Sequence, residues 1–138
     1  MKQMSDKVFL DSNILIYSYS KDEPEKQIVA RKLISEYNSF ISTQVLQELT
    51  NIITKKFNFS FIDAKKTIEE CCHNNNLHVN TEDTIMQACD IARQNGFSFY
   101  DSLIISSALE CGCSTLYTED MQHARKINAN FSIINPFL

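Results

Sequence analysis

The sequence predicts an α/β fold in which a central, mainly parallel sheet carries helices on both faces. Short apolar runs, typical of buried strands, alternate along the chain with longer stretches whose apolar residues recur at helical spacing. Strands that are separated by helices pair in parallel, and the connecting helices cover the sheet. The 138 residues suffice for one substantial core, and no linker or repeat divides them, so we expect a single domain.

Each element follows from one of these two patterns. Strands are predicted over 7–11, 39–42, 77–79, 114–118 and 131–134. Helices are predicted over 13–18, 25–38, 44–57, 60–73, 82–95 and 101–111, with a further short helix over 121–127.

Individual residues predict where several helices begin and end. Thr43 is expected to cap the third helix, and Asn95-Gly96 is expected to end the fifth. Residues 97–100 are expected to form a loop before the sixth. In the fourth helix, the residues expected to point inward are Ile62, Ala64, Ile68 and either Cys71 or Cys72.

The composition excludes several classes of protein. A net charge of −4 argues against a surface that coats nucleic acid, but it is compatible with an acidic metal centre beside a local basic patch. No apolar run reaches the roughly 20 residues of a membrane span, and the polar N-terminus lacks a signal-peptide core, so we expect a cytoplasmic protein. Five cysteines are odd in number and match no structural zinc spacing, which favours buried, reduced thiols.

Four acidic residues are placed where they could share one cleft. Asp11 ends the first strand, and Asp120 closely follows the fourth. The carboxyl ends of parallel strands meet at one edge of a sheet, where ligands collect. Asp101 begins a helix and lies within its apolar arc, while Glu48 falls on the edge of the apolar arc of its own helix.

Three of these acids also have a structural interpretation. Asp11, or Asn13 in its place, can cap the first helix, Asp101 can cap its own helix, and Glu48 can be a solvated flank. Taken together, carboxylates in one cleft repel one another unless a cation is present. The set therefore favours Mg²⁺ or Mn²⁺, hard ions that can clamp a phosphodiester and activate a water for attack. No Gly-rich phosphate loop, nucleophile elbow or spaced histidine pair offers a competing chemistry.

Four segments add a signal through their order and spacing. They are Leu10-Asp11-Ser12-Asn13-Ile14-Leu15, Gln47-Glu48-Leu49, Tyr100-Asp101-Ser102-Leu103-Ile104 and Leu116-Tyr117-Thr118-Glu119-Asp120-Met121-Gln122. Together they resemble PIN-domain proteins, and most closely the VapC-like toxins of bacterial toxin–antitoxin pairs. The resemblance covers nearly the whole chain and implies a PIN-like nuclease domain over 1–138, a three-layer sandwich.

The resemblance implies a Mg²⁺-dependent endoribonuclease, a hydrolase that can also use Mn²⁺. The implied catalytic acids are Asp11, Glu48, Asp101 and Asp120, and the implied metal ligands are Asp11, Asp101 and Asp120. The implied supporting residues are Ser12, Asn13, Thr118, Glu119 and His123. RNA, such as a tRNA or another structured RNA, would be the substrate, a cognate antitoxin would cover the cleft, and the protein would form a homodimer without membrane contact.

One position departs from the pattern of many PIN-domain proteins. They carry another Asp three residues after the position of Asp120, where this chain has His123. The fourth acid is then Asp120 or Glu119, or the site uses three acids with a histidine nearby. His123 itself can contact a phosphate or a metal, or it can be a surface residue.

Contacts with RNA are expected from basic and aromatic side chains. The basic candidates are Lys55, Lys56, Arg125 and Lys126, since such cations supply the salt-dependent part of binding. The aromatic candidates for stacking on bases are Tyr17, Tyr19, Phe57 and Phe59.

Two other functions stay open on the sequence alone. A catalytically inactive PIN-like domain would bind RNA or protein, and its support is the missing acid at position 123. A receiver-like phospho-acceptor module also binds Mg²⁺ beside acids that follow a strand. A receiver would want a Lys after the last strand, however, and this chain ends Asn135-Pro136-Phe137-Leu138.

Overall fold

The computed structural model describes residues 3–138 and shows one sheet of six strands. In chain order the strands are β1 (Gln3–Leu10), β2 (Tyr37–Ser42), β3 (Asn76–His78), β4 (Thr115–Tyr117), β5 (Arg125–Asn128) and β6 (Phe131–Ile134). Their spatial order is β3-β2-β1-β4-β6-β5, and every neighbouring pair is parallel except β5 with β6. The predicted α/β fold with a mainly parallel sheet is confirmed.

Six helices connect the strands. They are α1 (Ser12–Ser18), α2 (Pro24–Glu36), α3 (Thr43–Lys55), α4 (Phe61–Asn74), α5 (Glu82–Asn95) and α6 (Phe99–Glu110). The chain moves from β1 outward to β3 and then back across to β4, so right-handed crossovers put α1–α4 on one face and α5–α6 on the other. No helix within residues 3–138 combines the length and apolarity needed to cross a membrane.

The core lies around the two central strands. Phe9 and Leu10 of β1 and Leu116 of β4 are fully buried. Helix α6 is buried around its whole circumference from Ser102 to Ala108, because it packs between the sheet and α5. The burial of this segment fixes the orientation of the preceding turn, which carries Asp101.

The predicted end of the second helix was wrong by two residues. Helix α2 ends at Glu36, and Tyr37 and Asn38 instead begin β2, where Asn38 pairs with Lys7 of β1. The helical apolar spacing continues through Tyr37, but pairing with the central strand overrides this local preference.

Two predicted helix starts were also wrong, each by a short distance. Ser42, not Thr43, caps α3, with its hydroxyl accepting from the Val45 amide. Ser98 caps α6 by accepting from the Asp101 amide, so residues 99–100 are helical rather than part of a loop. A serine hydroxyl that satisfies an N3 amide sets the first turn in both cases.

The short helix predicted over 121–127 is absent. The segment turns at Ala124, whose φ is 63°, and continues as β5 in a hairpin with β6. The Ala124 amide donates to the Ile133 carbonyl at 2.8 Å, so the sheet edge takes the hydrogen bonds that a helix would have used.

Two isoleucines in different helices test the placement of the core. Ile105 is fully buried in α6, whereas Ile62, predicted to point inward, is 71% exposed on α4. Ile105→Ala is expected to lower the free energy of unfolding by about 2–5 kcal/mol through a lost contact and a cavity. Ile62→Ala should change it by less than about 0.5 kcal/mol. Urea unfolding of both variants measures this, and equal losses would contradict the described packing.

Candidate active site

The four predicted acids come from four elements that converge at the carboxyl edge of the sheet. Asp11 caps α1 directly after β1, and Asp120 lies in the loop after β4. Glu48 lies in α3, and Asp101 lies in the first turn of α6. The charge of Asp120 raises the pKa of each of the other three carboxyls, so the four form one acidic cluster.

Asp11 is the most deeply buried member of the acidic cluster, with only 6% of its surface exposed. Its Oδ1 accepts from the Ser12 amide at 2.7 Å, and its Oδ2 accepts from the Thr118 hydroxyl at 2.8 Å. Burial raises its pKa to about 7 in spite of these two hydrogen bonds, which favour the charged form, and the charges of Glu48 and Asp120 raise it further. Asp11 therefore caps α1 and also belongs to the acidic cluster.

A buried hydrogen-bond network joins the ends of β1 and β4. Leu10 pairs with Tyr117 in the sheet, which places Asp11 beside Thr118. The Thr118 hydroxyl accepts from Asn13 Nδ2 at 3.1 Å and from the Asp120 amide at 3.1 Å. Asn13 Nδ2 also donates to Asp120 Oδ2 at 3.0 Å, so a single amide orients the most exposed acid of the cluster.

Glu48 and Asp101 approach from the two helices that flank this network. Burial raises the pKa of Glu48, while hydrogen bonds from Ser12 and Gln44 lower it and the charges of Asp101 and Asp120 raise it again. The pKa of Asp101 is also raised, first by burial and then by Asp120, against the hydrogen bond from Ser98. Three carboxyls of the cluster thus carry the cost of incomplete solvation and like-charge repulsion.

The other two candidates for the fourth acidic position point elsewhere. Glu119 accepts from the Tyr17 hydroxyl and forms an ion pair with Lys26 at 3.0 Å. The exposed His123 accepts through Nδ1 from the Asn135 amide at 2.9 Å. The geometry therefore brings Asp120, and neither Glu119 nor His123, to the other acids.

The basic candidates for RNA contacts are spread over two regions. Lys55 and Lys56 are exposed at the end of α3, and Lys126 is exposed on the edge strand β5. Arg125 donates to the Asn95 carbonyl at 2.9 Å, and its guanidinium lies 4.2 Å from the centre of the Phe97 ring. Arg125 therefore fastens β5 to the end of α5 and is the least available of the four.

Two residues beside the acidic cluster were missed from the sequence. Gln44 is 4% exposed and lies one helical turn before Glu48, and Ser102 is fully buried directly after Asp101. The spacing of four between Gln44 and Glu48 puts both on one face of α3, and this signal was available in the sequence. The contact of that face with the first turn of α6 could not be found in the sequence.

The acidic cluster fits a hard divalent cation by its chemistry. Within residues 3–138, no three Asp, Glu, His or Cys side chains lie close enough to ligate one ion in this arrangement. Mg²⁺, however, is usually bound by one or two carboxylates, and waters and substrate phosphates fill its other positions. The donors are all carboxylate oxygens, and three of the four have a raised pKa, which a cation would relieve.

The raised pKa of Asp11 predicts an unusual pH dependence of stability in the presence of a chelator. Its neutral form is favoured by folding, so the stabilisation is complete below its ordinary pKa of 3.8 and is lost as the pH rises through about 7. At about 1.4 kcal/mol per unit, the loss reaches a few kcal/mol. Thermal unfolding in EDTA between pH 4 and 8 measures it.

Two Asp→Asn variants control this pH measurement. Asp11→Asn should flatten the decline in stability, because residue 11 no longer ionises. Asp22→Asn, at an exposed loop position, should leave the decline unchanged. A stability that stays level or rises from pH 4 to 8 in the wild-type protein would contradict the described burial.

Comparisons with known proteins identify the family and the fold of the chain. The profile of the PIN domain family matches residues 8–128. No curated protein sequence matches the chain.

Three solved structures illustrate the shared fold. VapC20 of Mycobacterium tuberculosis, a Sarcin-Ricin loop cleaving toxin, is 16% identical with a TM-score of 0.66, covering 82% of this chain and 91% of its own. A toxin–antitoxin complex from Klebsiella pneumoniae is 16% identical with a TM-score of 0.68, covering 94% and 97%. VapBC2 from Rickettsia felis, bound to a promoter DNA fragment, is 19% identical with a TM-score of 0.65, covering 92% and 96%.

The structural similarity to these proteins supports the fold, and the match to the family profile supports the family assignment. The matched residues run from β1, which leads into Asp11, to the end of β5, and they include all four acids of the cluster. The chain belongs to the PIN domain family.

Proposed function

We propose that the protein is a metal-dependent endoribonuclease that hydrolyses RNA phosphodiester bonds. The observation that carries this proposal is the acidic cluster, in which Asp120 raises the pKa of Asp11, Glu48 and Asp101. Membership of the PIN domain family supports it, as does the shared fold with a toxin that cleaves the Sarcin-Ricin loop. Hydrolysis would leave a 5′-phosphate and a 3′-hydroxyl.

Mg²⁺, or Mn²⁺ in its place, is the ion that suits this cluster, and Asp11, Asp101 and Asp120 would hold it, directly or through its bound waters. When bound, such an ion neutralises the charge that develops on the phosphate and favours ionisation of a water. Asp11 is suited to be the fixed ligand, because both of its oxygens are already oriented by hydrogen bonds. Asp101 and Asp120 are more exposed and can face the incoming phosphodiester.

Glu48 is the group best suited to accept a proton from the attacking water. Burial raises its pKa above the usual range of a glutamate, and a carboxylate with a raised pKa is a stronger base. The hydrogen bond from Ser12 lowers the pKa of Glu48, and Ser12 directly follows Asp11 in the chain. This bond therefore links the position of Glu48 to that of Asp11.

The same reasoning extends to the partners. We assign the protein as the toxin of a VapBC-type pair that acts in the cytoplasm as a homodimer and is blocked by a cognate antitoxin over the cleft. The similar structures from Klebsiella pneumoniae and Rickettsia felis are toxin–antitoxin assemblies, which supports this assignment. A tRNA or another structured RNA is the expected substrate.

The alternative of an inactive binding domain loses its support in this geometry. It depended on the missing acid at position 123, whereas Asp120 already supplies a fourth carboxylate to the cluster. The family match also removes the reason for a receiver-like module.

RNA cleavage by the purified protein tests the proposed activity. With Mg²⁺ or Mn²⁺ the wild-type protein should cleave total cellular RNA, and EDTA should abolish the cleavage. Asp11→Asn and Asp101→Asn should each lower the rate at least about a hundredfold, because even the outer partners of metal ligands cost 10–100-fold when removed. Equal cleavage by wild type and variants would mean contamination or a different site.

Neighbouring acids test which carboxylate completes the cluster. Asp120→Asn should lower the cleavage rate at least about a hundredfold by the same argument. Glu119→Gln and His123→Ala should retain most of the activity, because Glu119 is bound by Tyr17 and His123 by the Asn135 amide. Rates of RNA cleavage at saturating Mg²⁺ measure this, and a larger loss in Glu119→Gln than in Asp120→Asn would contradict the assignment.

A further inference from the structure

A glutamine lies buried between the two helices that carry Glu48 and Asp101. Gln44 Nε2 donates to the Tyr100 carbonyl at 3.2 Å, which links α3 to the first turn of α6. A carbonyl can only accept, so this bond fixes which end of the amide faces Tyr100. Gln44 Oε1 therefore points away from that carbonyl.

Three buried oxygens near this link have no hydrogen-bond partner among residues 3–138. They are Gln44 Oε1, Glu48 Oε1 and Ser102 Oγ. Leaving such an atom unpaired costs about 1–3 kcal/mol, and buried polar atoms are rarely left so. Gln44 and Glu48 share one face of α3, and Ser102 lies two residues beyond the Tyr100 carbonyl that Gln44 contacts. The unpaired atoms thus belong to side chains of the two helix segments that the Gln44–Tyr100 hydrogen bond joins, which we call the junction of α3 with α6.

We propose that a water molecule is bound at this junction and that, through it, Gln44 and Ser102 act as positioning residues for Glu48. The donor count matches a water. Its two hydrogens can be donated to Gln44 Oε1 and Glu48 Oε1, and its oxygen can accept from the Ser102 hydroxyl. A buried water typically makes about three such bonds. A cation would leave the hydroxyl proton of Ser102 without an acceptor.

The bound water fixes the carboxylate of Glu48 through a hydrogen bond to its Oε1. Glu48 Oε1 has no hydrogen-bond partner among the described residues, and the water adds a contact to this oxygen. Because Gln44 also binds the backbone at Tyr100, the same junction sets the separation between Glu48 and Asp101. This second step rests on the proposed function, in which these acids serve a metal ion.

A crystal structure of the metal-free wild-type protein tests the water directly. Electron density for a water is expected within about 2.7–3.2 Å of Gln44 Oε1, Glu48 Oε1 and Ser102 Oγ. Direct pairing of these oxygens with one another, with no density between them, would overturn the proposal.

Binding of Mn²⁺ alone, measured by calorimetry, tests the positioning role. Gln44→Met keeps the volume and removes the hydrogen bond to the Tyr100 carbonyl, which lies next to the proposed metal ligand Asp101, so it should weaken the affinity about 10–100-fold. Gln47→Met makes the same change at an exposed position of the same helix and should bind as the wild type does. Ser102→Ala should weaken binding in the same direction as Gln44→Met. Thermal unfolding in EDTA confirms that each variant is folded before titration.

The outcomes separate this inference from the proposed function. Equal Mn²⁺ affinity of folded Gln44→Met and Gln47→Met would overturn the positioning role while the nuclease proposal stands. A wild-type protein that binds no Mn²⁺ and cleaves no RNA would overturn both the nuclease and the positioning role, and the crystallographic water would still be decided by its density.

Discussion

The candidate site depends on the hydrogen bonds of the Thr118 hydroxyl. It donates to Asp11 and accepts from Asn13 and from the Asp120 amide, and it is fully buried between the ends of β1 and β4. The parallel register, with Leu10 opposite Tyr117, brings these partners to one level. A single side chain therefore fixes a carboxylate from one strand end and a loop from the other.

That arrangement has an electrostatic cost that explains much about the site. Asp11 is buried at the carboxyl edge of the sheet, and burial raises its pKa to about 7 although two hydrogen bonds favour its charged form. Burial and the neighbouring charges outweigh those bonds, so the folded chain alone tolerates the ionised cluster poorly. Either protons or a cation must compensate, and near neutral pH a divalent cation is the compensation compatible with charged ligands. The conflict between folding and ionisation is itself the physical argument for a metal centre.

The sequence predicted elements best where local chemistry and tertiary structure agree. Helix α5 has the predicted bounds, because a capping box at Thr81 starts it and Gly96, with a φ of 76°, ends it. The prediction failed at Tyr37, where strand pairing overrides helical spacing, and at 121–127, where hairpin formation with β6 replaces a helix. Four acids could be proposed from their places at strand and helix ends. The burial of Gln44 against Tyr100 could not, since it depends on how the first turns of α3 and α6 meet.

The contrast between Glu119 and Asp120 shows how a short loop sorts two adjacent acids. The backbone bends at both residues, and their side chains have different partners. Glu119 contacts Lys26 and Tyr17. The hydrogen bond from Lys26 to Glu119 raises the pKa of Lys26 and keeps its ammonium group charged. The Glu119 amide meanwhile donates to Asn13 Oδ1 at 3.3 Å, and Asn13 Nδ2 holds Asp120. The ion pair of Glu119 with Lys26 and the hydrogen bonds of Asn13 thus fix the loop from two sides. Lys26 pairs with Glu119, and Asp120 is left to join the other acids of the cluster.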